Sequence, residues 1–123
     1  MGVRRAKARE AKARMKQYEI WWAALPPPIG RRPVLLLSRT PAMAYLSKII
    51  VAEITMTIRG IPQEVKLGRR ERMFRASVAN LDNVHIVPVA RLAERIGVLP
   101  RDRHIDVKRA LGYALDWAEL KIL

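Results

Sequence analysis

Apolar positions along this chain fall in short runs, not at helical spacing, until near its end. Tyr18–Ala23 is aromatic and β-branched and predicts a strand. Leu25–Gly30 contains Pro26-Pro27-Pro28, which cannot donate ladder hydrogen bonds, and predicts a stiff loop. Val34–Leu37 is unbroken apolar sequence, the mark of a strand buried on both faces, and Thr40-Pro41 ends it. After a connector over 41–46, Lys48–Ile58 predicts the longest strand, dense in Ile, Val and Thr. Gly60-Ile61-Pro62 reads as a turn, Glu64–Leu67 as a short edge strand and Gly68–Arg75 as a charged loop. Ser77–Leu81 and Val84–Val87 read as two strands divided by an Asp82-Asn83 turn. Helical spacing starts at Ala90. A last helix is expected from about Pro100 to the end, with Val107, Leu111, Ala114, Leu115, Ala118 and Ile122 on one face.

Five or six short strands and a terminal helix predict a mostly β fold, a strongly bent sheet or partial barrel with a C-terminal helix packed on it. Residues 1–16 stand apart. They carry seven cations and one acid, Glu10, with no apolar stripe to bury. They read as a basic arm, either an RNA-tracking tail or an upstream extension, since Met15 offers a second start; the folded domain is expected over 17–123.

Charge sharpens the picture. The 123 residues hold 24 Lys plus Arg against 11 Asp plus Glu, a net charge of +13. Such an excess points to a polyanionic partner. The arm contributes +6. Lys66–Arg75, with five cations less Glu71, contributes +4. There is no cysteine, and His85 and His104 stand apart without ligand-like spacing, so no metal site is expected. No apolar run approaches the roughly 20 residues of a membrane helix, and no secretory leader is evident. A cytoplasmic location is expected.

Candidate chemistry is sparse and basic. Arg32 precedes a proline, so its backbone is extended and its side chain leaves from a rigid strand entrance. A guanidinium so held is suited to gripping a phosphate, although a surface arginine at a strand end is the plainer reading. Arg31 beside it would touch a ligand's backbone. Thr55 is a good strand former whose hydroxyl can also donate to a phosphate oxygen. Asp82 with Asn83, Glu19 and Glu53 are carboxylate-bearing positions open to turn formation, arginine pairing or general-base work. Trp21 and Trp22 leave opposite strand faces, so one suits the core and the other a stacked base.

The run from Glu19 to Arg39, with Trp21-Trp22, the proline loop and Arg31-Arg32-Pro33, resembles the opening of the MazF/PemK family of toxin endoribonucleases. Ile50–Pro62, Ser77–Val84 and Arg95–Leu99 extend the resemblance over roughly residues 18–115. It implies an SH3-like barrel, a homodimer, and metal-independent cleavage of single-stranded RNA by 2′-hydroxyl attack, leaving a 2′,3′-cyclic phosphate and a 5′-hydroxyl. It implies no cofactor, and an acidic antitoxin as partner. Arg32 would stabilise transition-state charge, Thr55 would hold a phosphate oxygen, and Asp82 or Glu19 is the candidate acid/base. Gly30, Arg31 and Asn83 are the candidate RNA contacts. Asn80 stands where some members carry an arginine two residues before the acid. The short proline loop and the basic Lys66–Arg75 segment also depart from the family pattern, so no cut sequence carries over. Two alternatives stay open: a gyrase inhibitor of the same fold similar to CcdB, which would use apolar residues near Trp117, or a basic nucleic-acid-binding domain without nuclease activity.

Overall fold

The computed structural model describes residues 14–123. The arm expected over 1–16 therefore lies outside the described residues except for its last three. Of these, Met15 is buried in the core, so the folded unit reaches back at least that far.

Among the described residues, six strands form one antiparallel sheet: β1 (Glu19–Leu25), β2 (Gly30–Leu36), β3 (Lys48–Thr55), β4 (Glu64–Leu67), β5 (Ser77–Pro88) and β6 (Leu92–Val98). Their order is β4-β5-β3-β2-β1-β6. The helices described with them are α1 (Thr40–Met43), α2 (His104–Leu115) and α3 (Ala118–Lys121). The result is a half-barrel with a C-terminal helix, as the strand count predicts.

The sheet is bent enough to bury both faces. Trp21, Ala23, Val34, Leu36, Ile49 and Val51 pack on one side, capped by Met43 of α1. Ile20, Leu35, Ala52, Ile54, Val65 and Ala79 pack on the other, against Val107 and Ala110 of α2. The alternation along β2 explains its unbroken apolar run, because Val34 and Leu36 fill one core and Leu35 the other. Truncating Leu35, fully buried, would cost about 2–5 kcal/mol.

The structure corrects several boundaries. β3 stops at Thr55, so Thr57 and Ile58 lie beyond it. Asp82 and Asn83 do not turn the chain; they sit inside a continuous β5. There the register steps from Glu53 opposite Asn80 to Ala52 opposite Val84, which loops Leu81–Asn83 out as a bulge. Asn80 Oδ1 accepts the Asp82 N–H at 2.9 Å, local bonding typical of these residues spent on a bulge.

The helical spacing from Ala90 is also overturned. After one 3-10 turn at Val89–Arg91 the chain runs as β6, held to β1 by its ladder. At Gly97 a β-carbon would stand 2.4 Å from the Glu71 carbonyl oxygen, so only glycine lets β6 meet the turn after β4. The terminal helix is broken too. Asp116 takes a left-handed conformation (φ 52°), and the Trp117 N–H returns to the Gly112 carbonyl at 2.7 Å. α3 then folds back over Gly112, whose missing side chain admits Leu120. Leu115 and Ile122, expected on the buried stripe, are 60% and 85% exposed.

Candidate nucleic-acid groove

β2 enters at Gly30, in a left-handed conformation (φ 71°) opposite Leu25, so two adjacent residues, Arg31 and Arg32, leave opposite faces of the new strand. Arg31 lies over the Trp22 ring, 4.4 Å from its centroid, a cation–π contact. Trp21, on the other face, is buried and its Nε1 donates to Glu19 Oε1 at 3.2 Å. The two tryptophans divide between groove and core as strand alternation predicts.

The β2–β3 ladder pairs Leu36 with Val51, Leu35 with Ala52 and Val34 with Glu53. Carried two residues past its last pair, that register sets Arg32 across from Thr55, where the strands part. A groove of about 570 Å³ opens there. Its walls bring together Trp22, Arg31, Arg32 and Pro33 from β1 and β2, and Ile54–Thr57 from β3 and beyond. Arg72, Met73, Phe74 and Arg75 of the β4–β5 connection form the opposite wall, with Ser77 and Ile96. Arg72 is left-handed (φ 64°), and the turn it closes leaves Phe74 fully exposed.

Arg32 Nη1 donates to Glu53 Oε1 at 2.6 Å. Thr55 Oγ1 accepts the Thr57 N–H at 3.1 Å, which leaves the hydroxyl proton available for a ligand. The candidate acid/base residues are elsewhere. Glu19 is buried, and its carboxylate receives Arg95 Nε at 2.8 Å, Trp21 Nε1 and the Lys16 N–H. Asp82 and Asn83 are exposed on the β5 bulge and do not wall the groove, nor does Gly30. Phe74 and Met56, both exposed on the groove walls, carried no signal in the sequence beyond being apolar residues in polar surroundings. Among the described residues no three His, Cys, Asp or Glu side chains gather as a metal site, and no helix is long and apolar enough to cross a membrane.

A half-barrel whose groove is lined by four arginines, a half-buried tryptophan and an exposed phenylalanine has the charge and ring faces that suit a flexible polyanion. Comparison with known proteins makes the class specific. Residues 16–115 match the PemK-like, MazF-like toxins of type II toxin–antitoxin systems, and the chain belongs to that family. It is 42% identical over 99 residues to the probable endoribonuclease MazF5 of Mycobacterium tuberculosis, covering 80% of this chain and 90% of that protein. The M. tuberculosis toxin MazF-mt6 superimposes with a TM-score of 0.76 at 34% identity, over 80% of this chain and 96% of that one. A mycobacterial endoribonuclease solved with its cognate antitoxin shares the fold, with a TM-score of 0.73 at 20% identity over 84% and 96% of the two chains.

Proposed function

We propose that this toxin is an endoribonuclease that cuts single-stranded RNA without a metal ion. The ribose 2′-hydroxyl gives its proton to solvent water as it attacks the neighbouring phosphorus, the bond to the 5′ oxygen breaks and that oxygen takes a proton from water, and the products carry a 2′,3′-cyclic phosphate and a 5′-hydroxyl. Arg32 stabilises the charge that builds on the non-bridging oxygens, and the Thr55 hydroxyl donates to one of them. Arginine's very high pKa makes electrostatic stabilisation the easier role for it than proton transfer. Unpaired bases stack on the Trp22–Arg31 pair and on Phe74, as aromatic faces accept bases of any sequence.

The observation that carries this reading is that Arg32 and Thr55, distant in sequence, wall one groove. Relatives named as endoribonucleases supply the reaction class. No base role is proposed for Glu19, whose carboxylate is committed to Arg95, or for Asp82, outside the groove. A second copy of the chain and an acidic antitoxin are proposed as partners. The exposed Ile50, Val84 and Ile86 on adjoining strands suit the first, and the basic groove suits the second.

The test is cleavage of a mixed RNA pool in excess EDTA, with the ends mapped. Wild type should leave cyclic phosphates. Arg32→Ala and Thr55→Ala should each lower the rate by about 10²–10³ with unchanged circular dichroism. Full activity of the Arg32 variant would overturn the site, and intact RNA with inhibited gyrase supercoiling would favour the gyrase-inhibitor reading.

A further inference from the structure

Glu53 is an anomaly in β3. It lies between Ala52 and Ile54, both essentially inaccessible, and is itself only 8% exposed. A charge in such a place needs partners on every lone pair that water no longer reaches. Glu53 divides itself between two. Oε1 takes Arg32 Nη1 at 2.6 Å, and Oε2 takes His85 Nε2 at 3.1 Å, with the ring nitrogen as donor. The sheet builds this row deliberately: Val34 pairs with Glu53, and Val51 with His85, so Arg32, Glu53 and His85 lie diagonally along one face of β2, β3 and β5.

The division matters for Arg32. A free carboxylate facing arginine takes it with both oxygens in a fork, which uses two donors on one edge of the guanidinium. His85 holds the second oxygen away, so the grip is a single short bond at Nη1. The side chain is pinned, yet its remaining donors stay available. Its one-third exposure lets them reach into the groove.

We infer that Glu53 is a positioning residue for Arg32, and that His85 keeps Glu53 in the one-pronged geometry that leaves the arginine free to take a phosphate. This rests on the proposed cleavage reaction. The device has an opposing effect: the Glu53 charge weakens the attraction of Arg32 for RNA in the ground state. Orientation for the transition state is gained while ground-state affinity is reduced, which separates kcat from KM.

The experiment is single-turnover and steady-state cleavage by Glu53→Gln, Arg32→Ala and the double variant, beside ¹⁵N NMR of the Arg32 guanidinium. Glu53→Gln should lower kcat by about ten- to a hundredfold with KM unchanged or reduced, should speed rotation of the Arg32 side chain, and should add nothing in the Arg32→Ala background. A kcat within twofold of wild type, or a full further loss on top of Arg32→Ala, overturns the inference. Should Glu53→Gln fail to fold, His85→Ala against His85→Gln replaces it. The amide of glutamine can still donate to Oε2, so Gln should keep most of the kcat that Ala loses, and equal rates in Ala and wild type overturn the inference. If wild type does not cut RNA, the proposed reaction fails, while Arg32 rotation alone still decides whether Glu53 pins it.

Discussion

Phe74 is a large apolar side chain held entirely in solvent by a left-handed residue two places before it. Burial cannot account for it, whereas a base laid on its ring would. Phe74→Ala should therefore leave the melting temperature unchanged and weaken binding of a short single-stranded RNA by about 1–3 kcal/mol, the worth of one stacked base. Fluorescence anisotropy measures it, and unchanged affinity would remove Phe74 from the binding surface. Trp22 cannot be tested as cleanly, because it is half-buried beneath Arg31. At this scale the chain was readable where local stereochemistry rules. Arg32 before Pro33 had to leave an extended backbone, and the two tryptophans had to part. Glu53 was legible as a carboxylate in an apolar strand, but its partner His85 was not, since thirty-two residues and a bulge separate them.

Among the elements, β6 and the β4–β5 connection depend on each other. Gly97 sits so close to the Glu71 backbone that a methyl group has no room. Gly97→Ala should destabilise the fold by roughly 1–3 kcal/mol, the cost of overpacking a well-filled site. Thermal melting should show it, and a variant as stable as wild type would mean that the seam yields freely. The same connection is tied to the 3-10 turn leading into α2 by Arg70 and Asp102, 3.0 Å apart and exposed. The bond from Arg70 holds the Asp102 carboxyl below its usual range. A lowered folded-state value means stability that is present above the ordinary Asp pKa near 4 and is lost as pH falls through the folded value. Asp102→Asn should melt slightly below wild type at pH 7, and the difference should vanish only in acid below the lowered Asp102 value. The effect is small because water screens the pair. Elements failed to read from sequence where tertiary contact outweighed local pattern. Leu92–Val98 has residues that fit a helix, yet β1 offers an open flank for a ladder. Asp116 stopped the last helix through a left-handed residue other than glycine, which spacing does not announce.

For the molecule as a whole, a dense cluster of positive charge among the described residues lies along the groove. Arg69, Arg72 and Arg75 are exposed on the connection that forms its outer wall. Each phosphate neutralised on a single strand steepens the salt dependence of binding by about 0.7 in log–log slope. Replacing these three arginines with alanine should flatten the slope by about 2 units, with little change in fold, and titrations at several salt concentrations would measure it. An unchanged slope would put the RNA on another surface. Fold class and the basic wall were thus visible in the order of strands and the clustering of arginines. The groove itself was not, because it exists only where β2 and β3 diverge and a distant connection closes over them.

The bulge of β5 has a consequence for how this toxin could change without losing its fold. Three looped-out residues decouple the two halves of the longest strand. An insertion or deletion there that slips the second half against β3 would move His85 relative to Glu53 and turn Val87 out of the core with it, while Asn80 and the first half stay in step. The grip on Arg32 is thus coupled to the packing of Leu81 and Val87, and sequence drift at the exposed Asp82 and Asn83 leaves it intact when the register of the second half is kept.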